Sequence, residues 1–241
     1  MTPNFPTNNR LMDAVDATWP PAEARLAGPW LLRRGDGGGQ RVSAASTADQ
    51  SAALEPAEAG MLAWDQPPLF RITPDQTTLD RRLAEAGYAA KDPVVLYIAP
   101  VASLTDGGDE TVKIFRVSSP LAIVDEMWLN GGIGPGRRAV MTRPAGPRMT
   151  LLARADDRPV GVAFVAIDDD IAMIHAIEVA PEHRRKGGGT ILIRGAASFA
   201  AEHGATWLTI AVTEANAAAR ALYERLGMAS AGRYHYRIKA D

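Results

Sequence analysis

The sequence predicts an α/β (α+β) chain built on a mixed, mostly antiparallel sheet flanked by helices. Three observations carry that expectation. Residues 148–155, 159–167 and 171–179 are apolar runs at hairpin spacing, joined by Asp156-Asp157-Arg158 and Asp168-Asp169-Asp170, which suits an antiparallel meander. Helix-like and strand-like stretches then alternate to the end: helix 188–203, strand 206–212, helix 215–226 and strand 233–239. Between the meander and the first of these helices lies Arg184-Arg185-Lys186-Gly187-Gly188-Gly189-Thr190, a basic, glycine-rich run at a helix start.

The first half is less regular. Residues 13–26 read as a helix interrupted by Pro20-Pro21. Trp30–Arg33 and Arg41–Ala44 read as two short strands, with Gly35–Gly39 as a bare hairpin loop. An alanine-rich helix is expected at 48–64 and a strand at Leu69–Ile72. Asp75 would cap a helix ending near Gly87, with Leu79, Leu83 and Ala86 on one stripe. Val94–Ile98 is a near-continuous apolar run, the mark of a central strand. Residues 102–111, with Asp106-Gly107-Gly108-Asp109, read as a linker. Val112–Val117 is then a strand and Leu121–Leu129 a helix, broken by Gly131–Gly136; a short helix follows at 137–143. Gly204 and Gly227 sit where glycine ends a helix.

Bulk properties narrow the function. The net charge of −2 supplies no general basic field, so nucleic acid is not the expected partner. The chain has no cysteine, which removes disulfides, thiolate catalysis and cysteine-ligated metals. His175, His183, His203 and His235 lack metal-ligand spacing, so no metal is expected. No apolar run is long enough to span a bilayer, and the first residues lack the basic-then-apolar order of a secretory leader. The expectation is a cytoplasmic protein without a membrane partner.

The chemistry concentrates between Ile171 and Met228. A helix N-terminus offers unpaired N–H groups and the positive end of a dipole to a phosphate. Each glycine inside a helix costs roughly 1 kcal/mol relative to alanine, so Gly187, Gly188 and Gly189 need a reason: close backbone approach to a pyrophosphate, or a flexible surface turn. Arg184, Arg185 and Lys186 could neutralise phosphates or simply be solvated. Asn216 and Tyr223 lie two helical turns apart and so are expected on one face. That combination suggests a pyrophosphate cradle with a hydroxyl donor beside it.

The segment from about Val112 to Asp241 resembles the GNAT superfamily of N-acetyltransferases, most closely from Ile171 to Tyr236. Arg184, Gly187 and Gly189 match the family's basic and glycine signature after its fourth strand, preceded by Ile177-Glu178-Val179-Ala180-Pro181. Asn216, Ala219, Leu222, Tyr223 and Gly227 match its later pattern. The first half is similar to the non-catalytic N-terminal lobe of two-lobed members. The resemblance therefore implies a degenerate GNAT-like lobe over 1–110 and a catalytic domain over 111–241.

It also implies acetyl-CoA as co-substrate and a small-molecule primary amine as acceptor, attacked directly in a ternary complex. The coenzyme residues implied are Ile177, Val179, Arg184, Arg185, Lys186, Gly187, Gly188, Gly189, Thr190, Asn216, Ala219 and Tyr223. Strands four and five should splay near Ile177–Val179, where the Val179 N–H would face the developing oxyanion. Tyr223 would be the general acid, since a phenol near 10 can protonate a thiolate near 8.5.

For the general base, His175, Glu178 and water stand open. Strict alternation puts His175 on the same side as Ile177 and Val179, and Glu178 opposite unless a bulge intervenes. Trp128 and Glu126 could line the acceptor entrance, or be a core tryptophan and a solvated glutamate. Tyr234, His235 and Tyr236 could reach the acceptor. A non-catalytic acyl-CoA sensor, and a transferase for a longer acyl group or a protein N-terminus, are the alternatives. A homodimer is compatible with all of them.

Overall fold

A computed structural model of the chain describes residues 5–105, 112–119 and 121–239. The expected linker residues Asp106–Asp109 lie outside them. The first helix, α1 (Asn8–Thr18), is capped by the Thr7 hydroxyl, which accepts from the Arg10 N–H. It ends before Pro20-Pro21, because proline cannot continue the N–H ladder. Residues 23–27 are not helix but strand: β1 (Glu23–Ala27) pairs antiparallel with β2 (Trp30–Arg34) across a turn holding Gly28 at φ +59°.

That pairing also replaces the expected hairpin of 30–33 with 41–44. Gln40–Val42 is a short 3-10 turn, and β2 makes only an isolated bridge, Leu31 to Ser46, on that side. The alanine-rich helix is shorter than expected, α2 (Glu55–Leu62). After β3 (Leu69–Ile72), helix α3 (Thr77–Glu85) begins at Gln76, without a side-chain cap from Asp75. β4 (Tyr88–Pro100) extends the expected apolar run at both ends.

Beyond the undescribed segment come β5 (Val112–Val117), α4 (Ala122–Asn130) and α5 (Pro135–Val140). The meander follows as β6 (Arg148–Ala155), β7 (Arg158–Asp168) and β8 (Ile171–Val179). The chain then runs through α6 (Gly188–Glu202), β9 (Trp207–Thr213), α7 (Ala217–Arg225) and β10 (Ala229–Lys239). Asp156, Asp157 and Asp169 occupy left-handed turn positions, which short polar side chains tolerate.

Among the described residues, one eight-stranded sheet runs β3-β10-β4-β9-β8-β7-β6-β5. Its order crosses the sequence boundary at residue 110. β4 lies between β9 and β10, antiparallel to both, and β3 extends the far edge. The two halves of the chain therefore share one sheet. The pair β8–β9 is parallel, and every other pair in this sheet is antiparallel.

The sheet is covered on both faces. On one, Leu192, Ala196 and Phe199 of α6 and Tyr223 of α7 pack on Val165, Ile174, Leu208 and Ile210. On the other, Leu11 and Val15 of α1 meet Leu96, Ile98 and Met173, while Val124, Met127 and Trp128 of α4 meet Val162 and Phe164. A smaller core under the N-terminal half joins Trp30, Phe70, Leu79, Leu83 and Tyr88. Among the described residues no helix is long and apolar enough to cross a membrane.

Candidate active site

The site lies where β8 and β9 part. They pair only over Ile171–Ile174 and Trp207–Ile210. Beyond that point β9 stays with β4 as far as Thr213, while β8 continues with β7 alone. The parting coincides with a bulge in β8. His175 opposes Phe164 and Glu178 opposes Val162, so one strand uses an extra residue, and Ala176 takes φ +50°. The Trp128 indole N–H donates to the Ala176 carbonyl at 2.9 Å and holds the bulge in place.

The bulge changes which side chains share a face. Ile177 and Val179 pack with the α6 and α7 core. His175 instead stacks near Trp19 and Phe164 on the opposite face, with ring centroids 4.9 and 6.3 Å away. The expectation from strict alternation, that His175 sides with Ile177 and Val179, is corrected on this point. Glu178 also turns to the α4 side, where its carboxylate abuts Gly131. The Ala180 N–H donates to Val160 at 3.0 Å, and Glu178 pairs with Val162. Antiparallel alternation then turns the Val179 N–H away from β7, toward the gap left by β9.

The glycine-rich run opens α6 beside that gap. Gly187 is the N-cap at φ +84°, a conformation that favours glycine. A Cβ on Gly188 would stand 3.3 Å from Val179, and one on Gly189 would stand 2.8 Å from Leu222 of α7. The chain turn favours glycine at 187, while at 188 and 189 a Cβ would press on the side chains of Val179 and Leu222, so the structure itself gives these glycines a reason. From Arg185 to Thr190, no backbone N–H meets an acceptor among the described residues; the first N–H to do so is that of Ile191, bonded to the Gly187 carbonyl at 3.1 Å. Arg185 and Lys186 are exposed, and Thr190 is half-buried. Arg184 donates to the Val179 carbonyl and to Glu178, each at 3.1 Å. That pair is exposed on the arginine side and contributes little to stability.

α7 supplies the remaining residues. Asn216 does not lie on the helix face with Tyr223; it is the N-cap, its Oδ1 accepting from the Ala219 N–H at 3.1 Å. Ala219 packs against the same core as Ile177 and Val179. Tyr223 is buried there, its ring 5.6 Å from Tyr97. Its hydroxyl makes no hydrogen bond to another described residue. Burial pushes the phenol above its usual value, so it stays protonated through the neutral range.

On the opposite face His175 is buried, with both ring nitrogens engaged. Arg41 lies 3.0 Å from Nδ1 and the Thr18 hydroxyl 2.9 Å from Nε2. Arginine can only donate, so Nδ1 accepts and Nε2–H donates to Thr18. Thr18 in turn donates to the Ala14 carbonyl at 2.6 Å. Burial, then the Arg41 charge, holds the imidazole well below its ordinary value. Glu126 is exposed and Trp128 is a core residue.

A cavity of about 440 Å³ opens on this face beside His175 and Ala176, lined also by Tyr234, Tyr236, Arg41 and Arg137. His235 points elsewhere, to Asp80 at 2.7 Å. Gly35–Gly39 is not a bare loop: Gly38 lies against Val140 and Val42, and Gly37 against Gly136 at the start of α5. Arg41, Arg137 and the polar groups of α1 escape sequence reasoning because no motif links these distant segments. Only His175 and the Tyr234/Tyr236 pair point to this cavity in advance.

Comparison with known proteins agrees with this geometry. Residues 124–228 match the acetyltransferase (GNAT) family model. An uncharacterized N-acetyltransferase of Bacillus subtilis, YobR, is 28% identical over 235 residues, 92% of this chain and 95% of that protein. A streptothricin acetyltransferase of Streptomyces lavendulae is 52% identical over 59 residues, 24% of this chain and 31% of that protein. A GCN5-related N-acetyltransferase from Kribbella flavida superposes with TM-score 0.73 at 20% identity, covering 97% of this chain and 96% of that one; at that identity it speaks for the fold. GNAT enzymes use acetyl-CoA as co-substrate. The glycine-rich helix start, the parted strands and the family match over residues 124–228 together identify that segment as GNAT acetyltransferase-like, in a chain similar over most of its length to an N-acetyltransferase.

Proposed function

We propose that the chain transfers acetyl from acetyl-CoA to the primary amine of a small molecule, by direct attack while both are bound. The observation that carries this reading is the run of unpaired N–H groups from Arg185 to Thr190, at the N-terminus of α6 and beside the parted end of β8. Such a run fits a pyrophosphate. The short match to a streptothricin acetyltransferase supports a small-molecule acceptor.

Arg185 and Lys186 would neutralise the phosphates, with Arg184 fixing the end of β8. The free edge of β8 at Ile177 and Val179 would pair with the extended arm of the coenzyme. The Val179 N–H would stabilise the oxygen on which negative charge develops. The amine nitrogen bonds to the acetyl carbon, the carbon–sulfur bond breaks, and Tyr223 gives its proton to the departing sulfur. For the base, Glu178 is better placed than His175. The histidine is held neutral with both nitrogens engaged, whereas Glu178 has a single exposed partner.

Glu178→Gln tests the base. Turnover should fall about 10²-fold at neutral pH and recover as pH rises, because free amine then becomes abundant without a base. Unchanged turnover at neutral pH would hand the role to water.

A further inference from the structure

The acceptor-side cavity carries more positive charge than its surroundings balance. Arg41, Arg137 and Lys91 line it, against a single carboxylate, Asp92. Behind it, Asp16 bridges two guanidiniums, those of Arg33 and Arg71, each at 2.6 Å. Both arginines are buried. One carboxylate between two buried cations leaves an excess of positive charge next to Tyr236 and Arg41. Burying charge without a counter-ion is costly, so the cavity favours a negatively charged occupant.

Its polar groups are also unspent. Arg41 places one guanidinium nitrogen on His175, yet its Nε is buried without an acceptor. Tyr234 is 2% exposed and lines the cavity; its hydroxyl lies against the Arg41 guanidinium and the Tyr236 hydroxyl, yet is aligned for a good hydrogen bond with no described residue. Unpaired buried donors mark a place where a ligand completes the hydrogen bonding. Arg137 stands at the rim, its guanidinium against Gly39, which holds φ +91° and leaves room for it. The same cavity is bordered by Ala176 and Thr213, at the parted ends of β8 and β9.

We propose that the acceptor is an amine that also bears a carboxylate, held with its carboxylate on Arg41 and Arg137, its amine toward Ala176 and Thr213, and the Tyr234 hydroxyl donating to it. This inference rests on the acetyltransferase reading and names its substrate class. Guanidinium pairs suit a carboxylate because the fork of N–H donors matches its two oxygens. Tyr234 adds a buried hydroxyl that can donate to the second carboxylate oxygen. His175, neutral and tied to Thr18, acts as the wall that positions Arg41.

The test uses the full chain and acceptors in matched sets: ω-amino and α-amino carboxylates, their carboxamides, and their phosphonates, with thiol release as readout. Carboxylates should exceed the carboxamides in kcat/KM by about tenfold or more. Arg137→Gln and Tyr234→Phe should each reduce that ratio, and Arg41→Gln should abolish it. Calorimetry of the N-acetylated products, acid against amide, reads the same preference without turnover and should show the same ordering. Equal handling of acid and amide, or a ratio preserved in all three variants, overturns the proposal. Phosphonates favoured over carboxylates overturn it in favour of a phosphate-bearing acceptor. Calorimetry with coenzyme A alone separates the two levels: no coenzyme binding removes the acetyltransferase reading, while coenzyme binding with acid–amide indifference removes only this inference.

Discussion

The two sides of the parted strands are built on different plans. On the proposed coenzyme side the groups offered are mostly backbone: the N–H groups from Arg185 to Thr190, in a segment holding three glycines, and that of Val179 at the end of β8. On the proposed acceptor side they are side chains from widely separated places: Thr18, Arg41, Arg137, His175 and Tyr234. A phosphate can be held by any sequence that turns its amides the right way, so that side is compact and motif-like. Selectivity for one amine depends on individual side chains, which can come from anywhere the fold brings them.

Removing the first half should break the comparison most severely. Deleting residues 1–105 takes β4 from between β9 and β10 and uncovers the apolar faces of both. Two unpaired edges in one sheet invite aggregation. The remaining fragment should be misfolded and bind the dye ANS; a monomeric, coenzyme-binding fragment would show that the coenzyme side stands alone.

Tyr223→Phe keeps the ring against Tyr97 and deletes one hydroxyl. Turnover should fall about 10²-fold while calorimetric affinity for coenzyme A barely changes. Full activity would reduce Tyr223 to a packing residue. The double reversal Arg185→Glu with Lys186→Glu touches only exposed side chains. Coenzyme affinity should drop about tenfold, more at low salt, at an unchanged melting temperature. Gly189→Asp is a less clean probe, because its Cβ alone crowds Leu222 at 2.8 Å; loss of stability of about 1–3 kcal/mol should accompany the lost affinity.

The smallest effect belongs to His175. Burial and Arg41 lower its folded-state value, so the unfolded chain binds the proton more readily. Stability is then complete above the unfolded value near 6.5 and declines as pH falls from there toward the folded value, by at most ~1.4 kcal/mol per pH unit. His175→Gln should flatten this part of the denaturation profile. An unaltered slope would place the titration elsewhere.

The glycine-rich helix start was readable because it depends on local rules. Gly187 can adopt a positive φ, basic residues precede a helix start, and both lie next to each other in the chain. The meander β6–β7–β8 and the helix ends at Gly204 and Gly227 were readable for the same reason. Position 175 was not. Period-two alternation is a rule for regular strands, and one extra residue at Ala176 reverses it. Asn216 likewise looked like a face residue until the helix was seen to begin after it.

By itself, the sequence determined the class of fold, the helix start that suits a pyrophosphate, and the candidate acid Tyr223, all set by contacts between near neighbours along the chain. Only the tertiary structure decided that β4 completes the sheet of the second half, that Glu178 and His175 share a face, and that Arg41, Arg137 and Tyr234 meet around one cavity. Those outcomes depend on pairing and packing between segments far apart in sequence. There, burial and hydrogen-bond satisfaction over the whole sheet outweigh local propensity.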